Sequence, residues 1–486
     1  MRVLIHVIYP VTMLLCLNSS NCENIIPLMN SGILDKKERN DLTSGNVWKK
    51  LIGFFIPIMI GMLFQQLYNT VDAVIVGRFV GTEALAAVAG SPAVIINLVL
   101  GFFNGLASGA TIIISQCFGA GNEEGVSKAV HTVTVFCLIA GIVLTFVCRA
   151  LTPWALKAIG NPEDIRELSE NYMKIFFIGT VPMMLFNAGS GILRAVGDSA
   201  TPLKYLVLCT VLNIILDIVF VIYFSAGVAG AAWATAVAIA VSAVLIMRDL
   251  AVKPGPQKLY IRKIGIDRRT LSRTMYIGVP SGIQSAMYSI SNLILQASVN
   301  SFGSDTVAAW AVTGKLDGIF WVLSNSFGTA ICAFTGQCFG AGLTDRMKKG
   351  TKAALIMDVA VAVIFASILL PIAPFALRLF TEDQSVIDEA VHIMLWFVPY
   401  YYIWCFIEVY SNTLRGAGDS IRPAVIVLLG ICLLRILWVA FVVPVWHSID
   451  AVSASYPVSW AVTALALLIY YLRSDWLRRC SDHLNV

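Results

Sequence analysis

The sequence predicts an all-α integral membrane protein, with twelve transmembrane helices in two pseudo-symmetric, parallel six-helix bundles around a central cleft. Three observations carry that expectation. The 486 residues have a mean hydropathy of +0.80 and only 13% are charged, about half the share found in soluble domains. Apolar stretches long enough to cross a bilayer, which takes roughly 20 residues, recur from Trp48 to Arg473. Distinctive segments of the first half return in the second half at one offset.

The expected spans are 48–77, 84–108, 126–148, 168–192, 202–224, 228–248, 273–300, 305–333, 350–373, 386–412, 422–445 and 449–472. Basic residues orient them. Of 34 Lys and Arg, 25 fall in alternate connections counted from the amino-terminal arm, and six fall in the others. That asymmetry places both termini in the cytoplasm of a multi-pass protein of the inner (plasma) membrane. The connection after the sixth span is the most basic, from Arg248 through Arg268, Arg269 and Arg273. It reads as a topology signal touching anionic headgroups, not as a nucleic-acid surface.

Several chemistries are excluded. The eleven cysteines lie mostly singly within spans (Cys137, Cys148, Cys209, Cys332, Cys405, Cys432), where a thiol acts as a small apolar group. No C-x-x-C pair suggests metal or redox work. No phosphate-binding G-x-x-x-x-G-K-[ST] loop is present, so ATP does not drive this chain directly. Without a histidine cluster, nucleophile–base pair or dinucleotide motif, no enzyme and no cofactor is expected.

Residues 3–17 follow Arg2 and are apolar but too short to span comfortably. Residues 1–28 are therefore expected to be a non-native or signal-like extension. A cytoplasmic arm, 29–47, leads into a first bundle at 48–248. A cytoplasmic linker at 249–272 precedes a second bundle at 273–473 and a tail at 474–486.

The halves are written in one register. QCFGAG occupies 116–121 and 337–342, while LRAVGDSATP at 193–202 answers LRGAGDSIRP at 414–423. Both pairs are 221 residues apart. Six spans separate equivalent positions, so the halves enter the membrane in the same sense and share an axis along its normal. Gly119, Gly121, Gly340 and Gly342 are expected to form tight turns. Arg194 with Asp198, and Arg415 with Asp419, are expected to pair near helix ends.

Ionisable residues lie deep in apolar stretches: Asp72, Asp217, Lys315, Asp317, Asp358, Glu408 and Arg435. Each costs about 2.5–3.5 kcal/mol or more at a bilayer centre, so a set of this size marks a polar pathway. Gln65, Asn69 and Asp72 share one face of span one; Thr210, Asn213 and Asp217 share one face of span five. Two carboxylates backed by amides can share a proton or surround a monovalent cation. For Gln65 and Thr210 the plainer expectation is interhelical hydrogen bonding. Pro57 and Pro280 are expected to kink spans one and seven, and Pro182 and Pro399 lie in spans four and ten. The second half offers Gln284 and Tyr288 on span seven and Trp404, Glu408 and Asn412 on span ten. These are a second cation or substrate site, or internal ion pairs with Lys315, Asp317 and Arg435. Aromatic residues near Glu408 suit organic cations.

With these motifs in view, residues 45–475 resemble the multidrug and toxic compound extrusion (MATE) family. The first-half constellation is similar to its prokaryotic branch related to the DNA-damage-inducible transporters. Pro57 and Asp72 match that branch's first helix, and Asn213 with Asp217 its fifth. The resemblance further implies a coupling-ion pocket completed by Tyr172, Asn187 and Thr235. Another branch has acids on helices seven and ten; here Gln284 stands where the first would be, leaving Glu408. The resemblance implies a V-shaped antiporter that exports small amphipathic, cationic organic compounds in exchange for protons or sodium. Small organic substrates and membrane lipids are then the partners, with no nucleic acid and no obligate protein partner. The alternative is a flippase for a lipid-linked oligosaccharide or lipid of the same superfamily. Five intramembrane acids against two cations favour cationic cargo.

Overall fold

The computed structural model describes residues 41–263 and 265–484. The expected extension, 1–28, and most of the arm lie outside the described residues.

The described chain is helical. Span one is α1 (Val47–Phe79); span two is α2 (Thr82–Ala89) with α3 (Ser91–Gly119); span three is α4 (Glu123–Ile159). Span four is α5 (Glu163–Phe176) and α6 (Thr180–Ala195), separated by a 3₁₀ turn. Span five is α7 (Ala200–Asp217), continued by a π turn over Ile218–Tyr223, and span six is α8 (Gly227–Val252). The second half begins with α9 (Arg268–Val299), α10 (Ser304–Gly340) and α11 (Thr344–Leu377). Span ten is α12 (Gln384–Phe397) and α13 (Tyr401–Gly416), again split by a 3₁₀ turn. Span eleven is α14 (Ile421–Val427), a π turn and α15 (Leu434–Phe441), followed by α16 (Ile449–Arg473) and a tail helix, α17 (Trp476–Leu484).

Among the described residues, eleven of these units are long and apolar enough to span a membrane. The exception is α9, the expected seventh span. Its 32 residues suffice in length, but Ser281, Gln284, Ser285 and Asn292 dilute its apolar character. The reason is its position, flush along α3 at the junction of the halves. A Cβ on Gly105 would lie 2.5 Å from Gly282 N, and one on Gly278 would lie 2.5 Å from Leu106 O. Small residues let two backbones meet without lipid-facing side chains between them.

Several helices outrun their expected spans. Helix α3 reaches Gly119, α4 reaches Ile159 and α10 reaches Gly340. Hydropathy reports the thickness of the apolar slab, whereas a helix continues wherever polar residues such as Glu123, Glu124 and Lys128 solvate it. The 3₁₀ breaks fall beside Pro182 and Pro399, at Phe177–Gly179 and Val398–Tyr400. Helices α1 and α9 run on through Pro57 and Pro280. Every boundary from Glu163 to Ala195 recurs 221 residues later, from Gln384 to Gly416.

The repeated motifs meet one another at the end of the cleft that carries the basic loops. Gln116 Nε2 donates to Gly416 O (3.0 Å), and its counterpart Gln337 Nε2 donates to Ala195 O (2.8 Å). Gly121 and Gly342 turn the chain at φ +68° and +70°. Gly119 and Gly340 do otherwise: they are helical, and a Cβ on each would sit 2.0 Å from Gln337 O and Gln116 O. Their role is close approach of the halves across the pseudo-twofold axis, not turning.

The expected Arg–Asp pairs do not form. Gly197 and Gly418 take positive φ, which ends each helix before its aspartate and breaks the i,i+4 geometry. Asp198 instead accepts from Thr201 N (2.9 Å) and Thr201 Oγ1 (2.7 Å). Asp419 faces Arg422 at 3.6 Å and accepts from Tyr470 Oη.

The linker is anchored. Tyr260 N donates to His131 Nε2 on α4 (2.9 Å), Asp267 N donates to Thr132 Oγ1 (3.0 Å), and Asp267 caps α9 through Thr270 N. That backbone hydrogen bond and the nearby basic residues hold the Asp267 carboxyl below its ordinary range.

Candidate functional site

A cavity of about 1140 Å³ lies between the halves, walled by α1, α3, α6, α9, α10 and α13. Its floor is the end bordered by Arg194 and Arg415, next to the glutamine and glycine contact just described.

The first-half wall is built on α1. Gln65, Tyr68, Asn69 and Asp72 all border the cavity, as their helical spacing requires. Gln65 therefore faces the cleft instead of acting as interhelical glue. Thr210 is glue, donating to Leu206 O and, across to α1, to Phe64 O (3.4 Å). Tyr172, Asn187 and Thr235 also border the cavity, whereas Asn213 and Asp217 are buried beyond its lining. Asn213 Nδ2 donates to Thr235 Oγ1 (3.3 Å). Asn187 Nδ2 donates to Asn104 Oδ1 on α3 (2.9 Å), which commits its amide nitrogen to that helix.

Asp72 and Asp217 are electrostatic neighbours, and Tyr172 and Tyr68 adjoin them. Among the described residues neither aspartate is in an ion pair. Asp72 Oδ1, Asn213 Oδ1 and both Asp217 oxygens are buried without a hydrogen-bond partner. Acceptor oxygens of two carboxylates and an amide, gathered out of water with no donor, suit a proton or a hard monovalent cation. Tyr68 escapes a sequence reading because a tyrosine on an apolar span resembles core.

The second-half wall is aromatic. Tyr288 and Trp404 meet edge to face at 6.2 Å, and Trp404 meets Trp321 at 4.6 Å. Tyr288 Oη and Trp404 Nε1 are buried without partners. Glu408 borders the cavity and its Oε1 accepts from Asn412 Nδ2 (2.8 Å). Gln284 Oε1 accepts from Arg415 Nη2 (3.2 Å). Trp321, one turn from Asp317, was not distinguishable from core in the sequence.

The other intramembrane charges do not form ion pairs among the described residues. Asp317 accepts from Trp321 Nε1 (2.6 Å) and Tyr401 Oη. Asp358 is buried and accepts weakly from Ser324 Oγ (3.4 Å). Arg435 donates to Ser459 Oγ (3.0 Å) and lies over the Tyr456 ring. Lys315 is exposed to the cavity. Counted by where they point, the charges on the cavity wall are Asp72 and Glu408 against Arg194, Lys315 and Arg415. The excess of acids along the spans is thus absent from the cleft, because Asp217, Asp317 and Asp358 lie outside its lining.

Comparison with known proteins agrees with this architecture. The chain is 28% identical over 435 residues to a probable multidrug resistance protein, YoeA, of Bacillus subtilis (strain 168), covering 88% of this chain and 94% of that one. It is 23% identical to the multidrug export protein MepA of Staphylococcus aureus (strain NCTC 8325 / PS 47), over 89% and 95% of the two chains. A solved MOP superfamily transporter from Pyrococcus furiosus superposes with a TM-score of 0.84 at 23% identity, covering 92% of this chain and 99% of its own. A multidrug resistance MATE family transporter in an outward-facing conformation gives 0.83 at 22%, covering 92% and 98%. The MatE family profile matches twice, over residues 57–219 and 280–441, once in each bundle. The chain belongs to the MatE family of membrane efflux transporters.

Proposed function

We propose that this chain is a secondary antiporter that exports small amphipathic organic compounds in exchange for protons or sodium, with Asp72 and Asp217 as the coupling pair. One observation carries the reading: two neighbouring buried carboxylates without countercharge, one of them on the cleft wall. Such a pair changes charge with occupancy. A driving ion would be held by Asp72 and Asp217, with Asn213 and Thr235 fixing the amide between helices five and six. Asn69, Tyr172 and Asn187 form the polar rim. Ion binding favours one packing of α1 over another, and export follows if substrate prefers the other state. With the basic loops in the cytoplasm of the plasma membrane, the sealed floor corresponds to a cleft open to the outside. Cationic cargo is supported by the Tyr288, Trp321 and Trp404 wall beside Glu408. The names of the multidrug relatives support the substrate class.

The test is ethidium efflux from reconstituted vesicles, with sodium and pH gradients imposed separately. Export driven by neither gradient refutes antiport. Two further outcomes are expected. Thr235→Val removes the partner of Asn213, an interaction of about 1 kcal/mol, and weakens the apparent affinity for the driving ion several-fold in a titration of transport against that ion. Trp404→Ala removes an aromatic face worth about 2 kcal/mol to a desolvated cation, so half-saturation for ethidium rises by more than tenfold while the ion titration is unmoved.

A further inference from the structure

We propose that the floor of the cleft is a binding site for an anionic group, a carboxylate or phosphate carried by an amphipathic compound, held between Arg194 and Arg415. The inference deepens the reading of the cleft as a transport path and adds a ligand chemistry opposite to that of Asp72.

The two arginines are repeat equivalents, 221 residues apart, in the last turns of α6 and α13. Both border the cavity. The next residues, Ala195 and Gly416, accept the hydrogen bonds from Gln337 and Gln116, so each arginine stands on a backbone fixed by the opposite half. Neither is in an ion pair among the described residues. Among the described residues Arg194 makes no side-chain hydrogen bond or ion pair, and its Nε is buried without a partner. Arg415 uses only Nη2, toward Gln284 Oε1 (3.2 Å) and Ser411 Oγ (3.4 Å). The aspartates that follow each arginine in sequence are engaged elsewhere. Glu408, two turns away on the same helix, is an electrostatic neighbour of Arg415 but not an ion-pair partner, and its Oε1 is held by Asn412.

A guanidinium carries five donors in a planar fork that matches carboxylate and phosphate. Compensation of a helix dipole explains a cation in the last turn. It does not explain why both repeats direct one to the cavity without an ion-pair partner and with most of its donors unmet among the described residues.

The test is equilibrium binding to the purified full chain in nanodiscs without any gradient, so a failed export assay leaves its result standing. The probes are norfloxacin, which bears a carboxylate, and its ethyl ester, which does not. The wild type is expected to bind the acid at least about tenfold more tightly, a difference of about 1.4 kcal/mol. R194Q/R415Q should bring acid and ester together, and R194K/R415K should restore a preference for the acid. An acid that binds no more tightly than its ester to the wild type, including binding of neither, overturns the proposal. So does a preference that survives in R194Q/R415Q. If that variant fails to fold, the wild-type comparison decides alone. Nanodiscs with and without phosphatidylglycerol separate the sources. Acid binding that falls as this lipid rises assigns the floor to a lipid phosphate, and unchanged binding assigns it to a soluble anion; both support an anion site.

Discussion

Replacing Asp72 and Asp217 together by asparagine is expected to abolish gradient-driven export while leaving a folded, membrane-inserted protein. The amide keeps the shape of each side chain and removes its capacity to change charge. Without that change the driving ion has no differential affinity for the two states, and a ligand with equal affinity for both shifts nothing. Moving a two-state population from 1:99 to 99:1 takes about 5.5 kcal/mol, and no neutral group in the pocket supplies it. Uphill export in vesicles should therefore fall to the level of empty vesicles. Thermal stability should move the other way. Both Asp217 oxygens and Asp72 Oδ1 are buried without donors, and removing uncompensated polar charge from a low-dielectric site is stabilising. An unfolding midpoint at or above the wild-type value, with transport lost, separates coupling from misfolding. Wild-type export in the double variant would refute the coupling assignment.

The residues of that experiment were legible in the sequence because a lone carboxylate in an apolar stretch has no cheap structural use. On α1 their spacing marks the face that borders the cavity, whereas on α7 Asn213 and Asp217 lie behind its lining. The spans were legible for a related reason, since apolar length is a direct record of bilayer thickness. Helix α9 shows where this record fails. Lining the junction of two bundles, it has no need of a lipid-facing surface, and it falls short of the apolar character that marks the other eleven spans. Tyr68 and Trp321 were hidden because an aromatic ring on a span has the same signature whether it faces core, lipid or cleft.

Arg194 and Arg415 illustrate a different limit. Their distance to Asp198 and Asp419 suits an i,i+4 pair, but that inference assumes a continuous helix. The positive φ of Gly197 and Gly418 leaves each aspartate outside its arginine's helix, just ahead of the N-cap of the next one. A four-residue interval says where a charge could reach only when the backbone between the two residues is known. The same ambiguity applied to the acid count. Five acids against two cations described the chain, whereas the cleft wall presents two against three once Arg194 and Arg415 join Lys315.

Gly340→Val is expected to open the floor. A Cβ at this position would stand 2.0 Å from Gln116 O, whereas a carbon and a carbonyl oxygen rest about 3.3–3.6 Å apart. The obstruction is backbone, so no rotamer relieves it. The halves must part by more than about 1 Å at the axis. Parting also breaks the hydrogen bonds from Gln116 to Gly416 and from Gln337 to Ala195, because all four groups share the same seam. Interfaces of this kind switch between discrete arrangements instead of stretching, so the valine should populate a floor-open state. Spin labels at the exposed, repeat-related positions Glu124 and Asp345 would read this as a second, longer distance. A valine at Gly121, whose Cβ would meet nothing within 4 Å, strains a turn at positive φ but leaves the seam intact, and should not lengthen that distance. The contrast matters because both glycines belong to QCFGAG motifs. If the motif serves as turn chemistry alone, the two substitutions act alike. If it is the contact on which one half closes against the other, only Gly340→Val moves the labels.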